Sequence, residues 1–173
     1  MIVASNRIYG CTHALITHCL HKFGVEYEIV DFTDLKAVEQ ACSKHKSIKI
    51  MFCEPIQNPT NDVVDIEELS KIAHKHGAKF VVDNTFPTPL SFNPLLHGAD
   101  IVVHSGTKYL LGGLFVSGVV MGSREDMLRV RFEGVKDCTG SVLDPILSFA
   151  TLENLETLPL RVQRMSDNAA VVA

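Results

Sequence analysis

Two short segments carry residues whose types and spacing suit chemistry. Val81-Val82-Asp83-Asn84-Thr85 sets a carboxylate at the end of an apolar run. Ser105-Gly106-Thr107-Lys108-Tyr109 sets a lysine beside hydroxyls at the end of the next such run, Asp100 to His104. A lysine beside Ser and Thr can form an imine with an aldehyde while the hydroxyls hold a phosphate. A carboxylate closing an apolar strand is costly without a partner, and a pyridine nitrogen kept protonated is one such partner. Together these are the parts needed to hold pyridoxal 5′-phosphate (PLP) and use it as an electron sink. The plainer readings are a solvated loop lysine and an aspartate that caps a turn.

Other candidates are weaker on their own. Tyr9 precedes Gly10-Cys11-Thr12, where the glycine allows a sharp turn. Its ring can stack on a planar cofactor and its phenol can move a proton, although a lone tyrosine at a strand end is more often a packing residue. His13, His18 and His21 share one predicted helix and His74 lies near His76. No carboxylate or cysteine completes a metal-ligand spacing around them, so solvated helix faces explain them better. Gly112-Gly113 is too little for a phosphate loop.

Apolar runs and amphipathic stretches alternate along the chain and must position these residues. Ile2 to Ser5 reads as a strand, Thr12 to Phe23 as a helix stopped by Gly24, and Glu26 to Phe32 as a strand. Asp34 opens a helix through Ala41, Ile48 to Cys53 is a strand, and Asp65 caps a helix that ends at Gly77. The β-branched runs Phe80-Val81-Val82 and Ile101-Val102-Val103 predict strands covered on both faces. Phe115 to Met121 reads as a further strand. Arg124 to Phe132, Pro145 to Glu156 and Leu160 to Ala173 read as helices. Strand–helix alternation predicts an α/β fold, a three-layer αβα sandwich around a mostly parallel sheet. Ligands of such sheets sit outside the carboxyl ends of the strands. Tyr9, Asn58, Asp83 and Ser105 to Lys108 all fall at such ends.

At 173 residues the chain is expected to form one domain, residues 1–173. A net charge of −4 with no run of Lys or Arg argues against nucleic acid or an anionic membrane as partner. The five cysteines (Cys11, Cys19, Cys42, Cys53, Cys138) form no C-x-x-C pair, which suits reduced thiols better than a disulfide framework. Met1 to Arg7 lacks the long apolar core of a signal peptide, and Leu110 to Met121 is too short and too interrupted to span a bilayer. The expected setting is the cytoplasm.

Taken together, these motifs resemble the Cys/Met-metabolism family of PLP enzymes, and within it the methionine γ-lyases. The resemblance runs over essentially the whole chain and is most specific from Val81 to Tyr109. It implies the large domain of PLP fold type I. It implies that Lys108 binds PLP, that Ser105 and Thr107 bind its phosphate, and that Asp83 holds the pyridine nitrogen. Thr85 would join the cofactor-binding set. Tyr9 would stack on the ring and help protonate the leaving thiol. The family's E-x-P-x-N-P motif stands altered as Glu54-Pro55-Ile56-Gln57-Asn58-Pro59, with Asn58 matching the residue that faces the phenolic oxygen. Cys11, where most relatives carry glycine, and Lys136-Asp137 in Lys136-Asp137-Cys138-Thr139-Gly140 match methionine γ-lyase and would line the substrate side.

The implied reaction is α,γ-elimination on a sulfur amino acid: L-methionine to methanethiol, ammonia and 2-oxobutanoate. Trans-sulfuration of the cystathionine γ-lyase or γ-synthase type is the alternative. The motif G-H-x-D after the lysine is replaced by Gly112-Gly113-Leu114-Phe115. The match is to the middle of a family member, so the N-terminal arm, the S-G-M loop and the C-terminal domain are expected to be absent. An inactive remnant or a module that joins a full-length relative are the readings this leaves open. A completed protein would be a homo-oligomer acting on a small amino-acid substrate.

Overall fold

The computed structural model describes residues 1–173. Its strands are β1 (Ile2–Ser5), β2 (Tyr27–Val30), β3 (Ile50–Cys53), β4 (Lys79–Asp83), β5 (Ile101–Ser105) and β6 (Gly118–Gly122). They form one sheet in the order β2-β1-β3-β4-β5-β6. β1 runs parallel to both β2 and β3, with Ile2 opposite Tyr27 and Ile50. β3 runs parallel to β4, with Ile50 opposite Lys79. Parallel neighbours require crossovers, which the intervening helices supply. Packing separates two compact units, Met1–Asn84 with Asn93–Val102, and Thr85–Phe92 with Val103–Ala173.

In the first unit the strand alternation explains how both sheet faces are covered. Ile2 and Ala4 of β1 share a face with Ile8 and Ile16, and Leu20, Tyr27, Ile29, Ile50 and Phe52 pack against that cluster. Its cover is a continuous helical segment: α1 (Gly10–Ala14), a π turn (Leu15–Cys19) and a 3-10 turn (Leu20–Phe23). Gly24 ends the segment at φ 81°, a left-handed conformation that glycine adopts without strain. On the opposite face Val3, Met51 and Cys53 are fully buried. There Cys42 of α2 (Leu35–Lys44) lies 3.7 Å from Met51 Sδ.

Alongside, α3 (Ile66–Lys75) turns Ile66, Leu69 and Ala73 inward. The side chain of Asp34 accepts from the Lys36 and Ala37 N–H groups, and that of Asp65 from Glu68 N–H. Both are the N-caps that the sequence predicts. The apolar runs of β4 and β5 behave differently from expectation. Phe80, Val82, Val102 and His104 are buried, whereas Val81, Ile101 and Val103 are only half-covered.

The second unit contains the end of β5, β6 and four helices: α4 (Thr88–Ser91), α5 (Arg124–Arg129), α6 (Pro145–Glu156) and α7 (Leu158–Val172). The helix predicted to end at Phe132 continues as a π-helical stretch, Val130–Thr139, and stops at Gly140 with φ 64°. α6 matches its predicted bounds, with Asp144 as N-cap and Pro145 at its first position. Many apolar side chains of α6 are exposed, among them Ile146 at 75%, Phe149 at 63% and Leu152 at 64%. No helix is long and apolar enough to cross a membrane.

Candidate active site

In the first unit three predicted site residues share one edge of the sheet. Asp83 is the last residue of β4, and Tyr9 and Asn58 sit on the loops that follow β1 and β3. Because these strands are parallel, their carboxyl ends open on the same side, where α/β sheets bind ligands. The loops are tied together by Glu54, which follows β3 directly and is 6% exposed. One carboxylate oxygen accepts from Tyr9 N–H at 2.7 Å and the other from Asn58 N–H at 3.1 Å. Burial raises the Glu54 pKa, the two N–H groups oppose the rise, and the charge of Asp83 adds to it.

The neighbouring Gln57 is fully buried and donates to Ser5 Oγ at 2.8 Å, while its Oε1 has no hydrogen-bond partner. Ser5 Oγ also accepts from Arg7 N–H at 3.2 Å. Tyr9 itself is half-exposed at the head of α1. Its phenol pKa is raised, chiefly by a hydrogen bond with the Cys11 side chain and then by that group's charge. Cys11 is an exposed free thiol. Cys53 and Cys42 are the opposite case: burial pushes Cys53 well above the ordinary thiol range and Cys42 to about 11, so both are inert core thiols.

The second unit holds the lysine. Ser105 closes β5, and its N–H donates to Thr85 Oγ1 at 2.7 Å. The chain then turns tightly: Lys108 N–H reaches Ser105 O at 3.2 Å and Gly112 N–H reaches Lys108 O at 2.8 Å. At the start of this turn Gly106 packs closely on Ser117: a Cβ there would lie 2.1 Å from Ser117 Oγ and 3.3 Å from its backbone carbon, so a larger residue would displace the Ser117 side chain. The Ser117 N–H in turn donates to Thr107 Oγ1 at 3.2 Å. Leu110 and Leu111 anchor the turn in apolar surroundings, both buried. Lys108 is exposed and its amine makes no ion pair or hydrogen bond. The Ser105 hydroxyl likewise has no partner within the protein.

An uncommitted amine, an uncommitted hydroxyl three residues earlier and a second hydroxyl at Thr107 fit an aldehyde that also carries a phosphate. Thr107 Oγ1 accepts from Ser117 N–H at 3.2 Å and donates to Ser117 O only at 3.5 Å, a long bond that a phosphate oxygen can replace. In the first unit, the Asp83 carboxylate has the chemistry to hold a protonated pyridine. The donors of each unit are thus of the kinds that PLP takes: an amine and hydroxyls in the second, a carboxylate in the first.

The model of the Cys/Met metabolism PLP-dependent enzyme family matches residues 1–173. The chain belongs to this family. It is 43% identical over 173 residues to an L-methionine γ-lyase of Pseudomonas putida, an alignment covering 99% of this chain and 43% of that protein. It is 38% identical to an O-succinylhomoserine sulfhydrylase of Pseudomonas aeruginosa, over 99% of this chain and 42% of that one. The chain thus spans less than half the length of these relatives.

Solved structures that share its fold include the following two. One is a Campylobacter jejuni protein described as an O-acetylhomoserine (thiol)-lyase, with a lysine present as N′-pyridoxyl-lysine-5′-monophosphate. Its TM-score is 0.92 at 30% identity, over 99% of this chain and 50% of that one. The other is a cystathionine γ-lyase of Lactobacillus plantarum complexed with L-serine, with TM-score 0.91 at 34% identity, over 99% of this chain and 44% of that one. The fold is that of the PLP fold type I enzymes, and the cofactor of the family is PLP.

Sequence reasoning did not single out Glu54. The signal was present, since a carboxylate directly after an apolar strand is the pattern that marked Asp83. Lys136 and Asp137 pair with each other at 3.0 Å on the π-helical stretch, both well exposed, and neither bonds to the Lys108 turn. Four histidines outside the first helix pair with carboxylates: His74 with Asp100 at 2.9 Å, His76 with Glu39 at 3.0 Å, His97 with Glu67 at 2.7 Å, and His45 with Glu28.

Proposed function

We propose that the protein is a PLP-dependent carbon–sulfur lyase carrying out α,γ-elimination, in which L-methionine and water yield methanethiol, ammonia and 2-oxobutanoate. The observation that carries this reading is the exposed, uncommitted Lys108 amine on a turn whose Ser105 hydroxyl is equally uncommitted. Bound PLP supplies an electron sink for negative charge at the substrate carbons. Lys108 would hold the cofactor, and its amine would carry protons between the substrate carbons. Ser105 and Thr107 donate to the phosphate, and Thr85 orients Ser105 through its backbone. Asp83 keeps the pyridine nitrogen protonated, and Asn58 faces the phenolic oxygen. Tyr9 packs on the ring and gives its proton to the departing thiol. Cys11, Lys136 and Asp137 line the substrate side.

The identity to a methionine γ-lyase supports methionine as substrate. The likeness to a sulfhydrylase supports a second reading, replacement at the γ-carbon of an activated homoserine. Exposed apolar residues along α6 support a homo-oligomer, and free cysteines support a cytoplasmic setting. The test is product analysis of the PLP-supplemented chain. Methanethiol and 2-oxobutanoate from methionine are the expected result. Homocysteine formed only from an acylated homoserine plus sulfide would replace elimination with the second reading, and no product from either substrate would overturn both.

A further inference from the structure

In the turn that carries Lys108, the Tyr109 and Leu110 carbonyls accept from no backbone N–H of their own segment. Within residues 105–112, Ser105 O accepts from Lys108 N–H, Gly106 O from Leu111 N–H at 3.0 Å, and Lys108 O from Gly112 N–H. Tyr109 O and Leu110 O fall between these bonds. Both are taken by one side chain from the start of α7: Arg161 Nη1 donates to Tyr109 O at 2.5 Å and Nη2 to Leu110 O at 3.2 Å.

The same guanidinium also holds the end of α6. Arg161 Nη2 donates to Asn154 O at 2.9 Å, and Nε donates to Thr157 Oγ1 at 3.1 Å. Asn154 lies in the last turn of α6, where unpaired carbonyls carry the negative end of the helix dipole. No carboxylate pairs with Arg161, and the residue is half-buried. A cation placed among four oxygens and no counter-charge matches a bracket built from carbonyls. Only a planar fork with five fixed donors spans two successive carbonyls and a helix end at once; an ammonium is a single point donor.

We propose that Arg161 is the positioning residue of Lys108, fixing the turn from Tyr109 and Leu110 and joining it to the α6–α7 junction. Leu110 and Leu111 hold the apolar side of the turn, and Arg161 holds its polar side. The backbone from which the Lys108 side chain springs is thereby held in one conformation. This inference builds on the reading of Lys108 as the cofactor-binding lysine, and the two fail separately in the experiment below.

Arg161→Met keeps the apolar stem and removes every donor, and Arg161→Lys keeps the charge and one donor point. Each 173-residue variant is compared with wild type by amide exchange at Leu111 and Gly112 without cofactor, then by PLP titration across pH. Loss of charge-assisted bonds predicts about tenfold faster exchange and about tenfold weaker PLP binding in Arg161→Met. It also predicts a shifted pH midpoint of the absorption band of the lysine-bound cofactor, with Arg161→Lys in between. That midpoint is insensitive to a residue that merely stabilises the unit. Wild-type exchange, affinity and midpoint in Arg161→Met would overturn the proposal. If Arg161→Met does not fold, unchanged values in Arg161→Lys overturn it instead. A wild-type chain that forms no band refutes the PLP reading of Lys108; the exchange result alone then decides whether Arg161 holds the turn.

Discussion

Glu54 shows how one buried side chain organises a loop cluster. Its two carboxylate oxygens divide between the Tyr9 and Asn58 backbones, so the loops after β1 and β3 are set by a single group. Burial raises its pKa above the ordinary 4.5. The folded protein therefore binds this proton more tightly than the unfolded chain. Its contribution to stability is full below pH 4.5 and is lost as pH rises through the higher folded value. Glu54→Gln removes the titration, and its amide also places an N–H against a donor. The expected result is a urea midpoint below wild type at low pH, with the gap narrowing as pH rises through that window. A gap independent of pH would contradict the assignment. Glu28 works in the opposite sense: the hydrogen bond from His45 is the largest cause lowering its pKa, so its contribution is lost as pH falls through the folded value.

At the scale of elements, α3 is a helix whose core face outweighs its cap. Leu69 is fully buried against the sheet, whereas Asp65 makes one exposed bond to Glu68 N–H. Leu69→Ala is expected to cost about 2–5 kcal/mol and Asp65→Ala about 1 kcal/mol, read from urea unfolding. Comparable losses would mean that α3 is held by its end rather than its face.

Both features were legible in the sequence, as were the Asp34 cap, the left-handed stop at Gly24 and the bounds of α6, because each depends on residues within a few positions. The irregular stretches were not. The π-helical run through Val130–Thr139 exposes nearly all its side chains and so has no periodic signature to read. The half-covered faces of β4 and β5 were misjudged because β-branched runs look alike whether one face is sealed or both. Arg161 was missed because its partner Tyr109 lies 52 residues away and no local pattern announces such a bond; Glu54 carried a local signal, but its bond to Tyr9, 45 residues away, did not.

Across the whole molecule, the motif residues are distributed over two compact units, Tyr9, Asn58 and Asp83 in one and Thr85, Ser105, Thr107 and Lys108 in the other. Each unit prepares its residues with its own internal bracket, Glu54 in the first and Arg161 in the second. The chain spans 43% of the length of its methionine γ-lyase relative, yet the parts that would take the aldehyde, the phosphate and the pyridine are all within it. The central claim is that Lys108 binds PLP. Borohydride reduction of the PLP-treated chain, followed by peptide mass analysis, measures this directly. The expected result is a phosphopyridoxyl adduct on Lys108 at about one per chain, absent in Lys108→Ala together with its visible absorption band. Label scattered over other lysines, or an unchanged band in Lys108→Ala, would contradict it.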